Sequence, residues 1–75
     1  MSHHIENSIR KLRFEHNEMT QAQLGECVGL TRQTIAAIEQ GKYSPTLEVA
    51  FKMAALFSVS IEDIFQWVNS AQPPN

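Results

Sequence analysis

Arg32 and Gln33 stand side by side directly after Thr31, and Ala37 follows one helical turn beyond Gln33. A guanidinium can fork onto O6 and N7 of guanine, a carboxamide onto N6 and N7 of adenine, and a methyl group suits the C5-methyl of thymine. Lys42, Tyr43 and Ser44 follow with an ammonium and two hydroxyls, donors of the kind that meet phosphate oxygens. Together these residues offer contacts to base edges and to a phosphate backbone. No nucleophile–base pairing, phosphate-cradling glycine loop or metal-ligand cluster accompanies them, so neither catalysis nor a cofactor or metal is expected.

For this chemistry residues 20–42 must form two short helices across a tight turn. Thr20 can cap the first helix, with Gln23 three residues on as a capping box requires. Leu24 and Val28, four apart, share one face. Gly25, costly inside a helix by about 1 kcal/mol, makes sense where another segment crosses close to the backbone. Gly29 suits the left-handed position that ends the helix. Thr31 caps a second helix whose buried stripe is Ile35 and Ile38, while Arg32, Gln33, Thr34, Ala36, Ala37 and Gln40 form its other face. Gln21 opens the first helix, where free N–H groups favour a phosphate, and the hydroxyls of Thr31 and Thr34 stand at the start of the second. This is the organisation of a helix-turn-helix, whose second helix presents its N-terminal residues to the major groove.

Leu24, Gly25, Val28, Gly29, Leu30, Ile35 and Ile38 occupy the apolar and small sites of that motif when Gln21 is its first position. A Gln-Gly-Lys-Tyr-Ser-Pro-Thr-Leu segment and a Ser-Ile-Glu-Asp-Ile-Phe ending follow it. In these residues the chain resembles the phage repressor and Cro-type regulators, also called the xenobiotic-response-element family, over residues 7–66. The resemblance implies an all-α, compact five-helix repressor-like domain with base contacts at Arg32, Gln33 and Ala37. It also implies backbone contacts at Gln21 and at Lys42, Tyr43 and Ser44. Thr31 joins that backbone set, Thr34 stands where it can meet a phosphate or a base, and Arg13 with Glu39 matches the family's structural ion pair between helices 1 and 3. The loop ahead of Thr20 is longer than is usual in the family by about a residue.

The 75 residues form one domain with one small core. The single cysteine, Cys27, excludes an internal disulfide and is expected to be a small packed side chain near the stripe of the first motif helix. No apolar run is long enough to span a membrane, and the N-terminus has no secretion signal, so a cytoplasmic protein of bacterial or phage-like type is expected, nucleoid-associated when bound. The formal net charge of −2 argues against strong bulk attraction to nucleic acid. Distribution matters more: Arg10, Lys11 and Arg13 precede the motif, Arg32 and Lys42 bracket its second helix, and nothing basic follows Lys52.

Around the motif, residues 1–4 read as a disordered N-terminus, 5–68 as the domain and 69–75 as a disordered tail. A first helix is expected over residues 5–16, with Ile5, Ile9 and Leu12 on one face and His16 near its last carbonyls. Thr46 caps a helix carrying Leu47, Ala50, Met53, Ala54 and Phe57 inward, and Ser60 caps a last one over residues 61–66. Ile61, Ile64, Phe65, Trp67 and Val68 exceed what one small core needs. They either cover the base of helices 1 and 4 or form a self-complementary patch for a homodimer. The combined expectation is a sequence-specific regulator of double-stranded DNA, a repressor by default, dimeric on an inverted repeat. With no effector domain expected, control falls to concentration, proteolysis, a partner protein or a ligand. The alternative is an antitoxin-like protein-interaction module that binds DNA secondarily.

Overall fold

Among the described residues, four of the five helices begin at a hydroxyl that accepts a backbone N–H, and this local chemistry fixes where those helices start. A computed structural model of the chain describes residues 3–69, in the order β1 (His3–Asn7), α1 (Ile9–Glu15), α2 (Gln21–Val28), α3 (Arg32–Glu39), α4 (Leu47–Phe57), α5 (Ile61–Ile64) and β2 (Phe65–Asn69). Thr20, Thr31, Thr46 and Ser60 cap α2, α3, α4 and α5, and reciprocal capping boxes join Thr20 to Gln23 and Ser60 to Asp63. Each such cap satisfies a first-turn N–H that has no partner within the helix and is worth about 1 kcal/mol.

The core gathers one apolar stripe from each helix: Ile9 and Leu12 from α1, Leu24 and Val28 from α2, Ile35 and Ile38 from α3, Val49, Met53, Ala54 and Phe57 from α4, and Ile64 from α5. The His16 ring stands edge-on to Phe57 with centroids 5.0 Å apart, and its Nδ1 lies 3.0 Å from the Leu12 carbonyl oxygen. Between α1 and α2 the chain reverses through Asn17 and Glu18, both at positive φ, and the Met19 N–H returns to the Arg13 carbonyl at 2.9 Å.

The ends differ from the all-α expectation. β1 and β2 form a two-stranded antiparallel sheet in which Ile5 faces Trp67 and Asn7 faces Phe65. The Ser8 N–H continues this link by donating to the Ile64 carbonyl at 2.8 Å. His3 and His4 therefore belong to a strand, and α1 starts at Ile9 rather than at Ile5. The helix after Ser60 ends at Ile64, and Gln66, Trp67 and Val68 are extended. Alternating Phe65 and Trp67 suit a pleated strand, and their partner strand lies at the other end of the described chain. The expectations for residues 1–2 and 70–75 lie outside the described residues. Leu47 is 71% exposed rather than inward. It opens α4 directly after the Thr46 cap, at the margin of the buried stripe and one turn ahead of Ala50. No described helix is long and apolar enough to cross a membrane.

Candidate nucleic-acid interface

The turn between α2 and α3 is set by backbone packing. Gly25 carries the carbonyl that accepts from both Gly29 and Leu30 N–H groups, each at 2.8 Å. A Cβ on Gly25 would run into the Leu30 carbonyl oxygen, so only glycine lets the turn close this tightly. Gly29 follows at φ 81°, a left-handed conformation that costs glycine no Cβ strain. Leu30 packs half-buried against the core and delivers the chain to Thr31.

Thr31 is extended, and its Oγ1 accepts the Thr34 N–H at 3.1 Å, which starts α3 abruptly. Arg32 and Gln33 occupy the first turn and are exposed; Thr34 and Ala37 are half-buried. The Thr31 and Thr34 hydroxyls lie 3.0 Å apart, so one proton is shared between them and the other stays free to donate. Arg32 makes no ion pair among the described residues.

Behind this face a part-buried polar brace holds α3 in place. Arg13 Nε donates to Glu39 Oε2 at 2.6 Å and its Nη2 to Oε1 at 3.1 Å, while Nη1 donates to the Met19 carbonyl at 2.8 Å. The two side chains are 13% and 9% exposed, so the fork is shielded from bulk water. Gln21 Nε2 donates to Glu39 Oε1 at 3.1 Å, tying the start of α2 to the end of α3. A primary amide has two N–H donors, so the second remains for a ligand. Sequence reasoning missed Asn7, which works at the same place. Its Nδ2 donates to the Ile38 carbonyl at 3.0 Å and reaches that of Glu39 at 3.5 Å, and its Oδ1 accepts the Ile9 N–H at 3.2 Å. One side chain thus joins β1, the first turn of α1 and the last carbonyls of α3. An asparagine two residues before a helix was the available signal, but its reach to α3 had none.

Gly41, at φ 77°, ends α3 by a Schellman arrangement: its N–H donates to the Ile38 carbonyl at 3.0 Å and that of Lys42 to the Ala37 carbonyl at 2.9 Å. The loop emerges with Lys42, Tyr43 and Ser44 all exposed. Tyr43 and Ser44 share a groove with Ile5, Phe65 and Trp67 of the sheet.

The five apolar residues near the C-terminus do not share one surface. Ile64 is 0% exposed and belongs to the core, while Ile61 and Phe65 pack half-buried against it. Trp67 is 67% exposed on the sheet face that carries Phe65 and Ile5, and Val68 points to the other face by strand alternation. Cys27 is exposed rather than packed, because Leu24, Gly25 and Val28 already define the buried side of α2.

A helix-turn-helix family model matches residues 5–64. A protein of Methanocaldococcus jannaschii named as an uncharacterized HTH-type transcriptional regulator is 51% identical over 61 residues, covering 81% of this chain and 91% of that protein. Bacillus subtilis YgzD, which bears the same description, is 46% identical over 61 residues with the same coverage of 81% and 91%. A further HTH-type regulator, of Archaeoglobus fulgidus, is 47% identical over 57 residues, covering 76% of this chain and 79% of its own length. The matched span takes in the capped α2–α3 turn, the Arg13–Glu39 brace and the exposed first turn of α3 together. The chain belongs to the helix-turn-helix family of DNA-binding transcriptional regulators, in its phage repressor and Cro-type branch.

Proposed function

We propose that the protein is a sequence-specific repressor that reads the major groove of double-stranded DNA with α3. The observation that carries this reading is the exposed first turn of α3, where Arg32 and Gln33 project from a helix braced at its far end by Arg13, Glu39 and Gln21. Arg32 and Gln33 meet base edges, and Ala37 offers its methyl group to a thymine. Gln21, Thr31, Thr34, Lys42, Tyr43 and Ser44 meet the backbone and set register without reading sequence. The protein acts by binding in the cytoplasm, not by catalysis, and occupancy of a promoter blocks polymerase.

The working unit is a homodimer on an inverted repeat, with recognition helices roughly 34–36 Å apart. Apolar surface available for self-association includes Ile5 and Trp67 on the sheet, and Leu47 and Phe51 one turn apart on α4. Selection from a randomised duplex library tests the proposal. Enrichment of an inverted repeat by the natural chain, lost in Arg32→Ala/Gln33→Ala, is the expected result. A single half-site would retain DNA reading and remove the dimer. No enrichment at moderate salt would move the primary function to protein interaction.

A further inference from the structure

A protein of net charge −2 has few cations to spend on a phosphate backbone, which makes the position of each one informative. Of its six basic residues, Arg13 is committed to Glu39 and Lys52 pairs with Glu48 at 3.2 Å. Arg10, Lys11, Arg32 and Lys42 make no ion pair among the described residues. Arg32 and Lys42 already have roles in the proposed reading, which leaves the two cations of α1.

Their positions are not equivalent. Arg10 lies three residues before Arg13, hence on the same face of α1, the face turned toward α2 and α3. It lines a cleft with Gln21, Ala36 and Gln40, and the part-buried Arg13–Glu39 pair lines it as well. Ala36 and Gln40 continue the row that Arg32 begins at intervals of four, so the cleft opens beside the exposed face of the recognition helix. The one carboxylate in the cleft, Glu39, is already held by Arg13 and Gln21 and does not compete for Arg10. Lys11 is rotated about 100° from Arg10 and does not line this cleft; it borders a second depression beside Phe14, which Arg10 also lines.

We propose that Arg10 is a DNA-backbone contact, its guanidinium donating to a phosphate oxygen at the mouth of this cleft beside the free amide N–H of Gln21. The ligand is the phosphodiester of double-stranded DNA, and the contact rests on the DNA-reading function proposed above. Arg10 is exposed and bridges no elements, so Arg10→Gln leaves the thermal unfolding midpoint unchanged. Affinity is measured on the library-selected duplex and on a scrambled one between 50 and 200 mM salt. Arg10→Gln weakens both duplexes by the same factor and makes the slope of log K against log salt shallower by about 0.9. Its deficit therefore narrows about 3.5-fold across that range. Lys11→Gln keeps the natural slope. The assignment is overturned if Arg10→Gln keeps the natural slope, if Lys11→Gln flattens it equally, or if the loss is confined to the selected duplex. A natural chain with no salt-dependent affinity for either duplex would remove the DNA-reading function, and this contact with it.

Discussion

The helix-turn-helix and the two-stranded sheet are closed by contacts of opposite range. α2 and α3 meet through a turn whose instructions lie inside it: Thr20 and Thr31 start the helices, Gly25 admits the Leu30 carbonyl, and Gly29 reverses the chain. β1 and β2 come from opposite ends of the described residues, with all five described helices between them in the chain. Bringing distant segments together costs loop-closure entropy, and a lone strand pair is at best marginally stable in water. The helix-turn-helix therefore has its geometry written into its own turn, whereas the sheet depends on the helices that bring its strands together. Asn7 is the hinge pin between the two, with its backbone in β1 and its amide on the last carbonyls of α3.

Arg13→Met should have the largest effect on this contrast, because it leaves the Glu39 carboxylate shielded and without its guanidinium. A loss of about 3 kcal/mol in urea unfolding is expected, the low end for a buried pair since both side chains retain slight exposure. Arg13→Met/Glu39→Met should recover most of it; a double variant as unstable as the single one would show that packing, not charge, holds α3. Gly25→Ala should cost about 2 kcal/mol by forcing the turn apart, a fall of about 10 °C in melting temperature for a domain of this size. An unchanged melting temperature would mean that Leu30 yields easily and that the turn is not fixed by close approach.

Asn7→Ala sharpens the contrast at its joint. About 1 kcal/mol should be lost with its hydrogen bonds, and hydrogen exchange should quicken at the first turn of α1, where Ile9 loses its acceptor. Exchange unchanged there would remove Asn7 as a link between the regions. Ile5→Thr should do least. It trims one cross-strand contact with Trp67 on a half-open surface, worth about 0.5 kcal/mol. A loss as large as that of Gly25→Ala would reverse the comparison and make the sheet a determinant of the fold.

The same contrast explains what could be read from the amino acids. Caps at Thr20, Thr31, Thr46 and Ser60 were legible because each acts on an N–H three residues away. The turn was legible because glycine at Gly25 and Gly29 has few uses. The sheet was not, because Ile5 stands four residues before Ile9 and so mimics one more helical turn, and because nothing near Phe65 names β1 as its partner. Ile64 looked like surplus apolar area until the short α5 turned it wholly inward. Leu47 and Cys27 fell to the outer faces of α4 and α2 because adjacent residues already filled the inner ones. Within the candidate site the exposed residues of α3 were legible from type and spacing. The reach of Asn7 to α3 and the cleft beside Arg10 depend on how three helices pack, which no local pattern records.

Base reading by the first turn of α3, as proposed, is tested by the base preference of Arg32→Ala compared with that of the natural chain on single-base variants of the selected operator. Preference should flatten at one position in each half-site, with about 1–3 kcal/mol of discrimination lost there and the other positions unchanged. Equal weakening on every variant, or an unaltered preference at all positions, would contradict it.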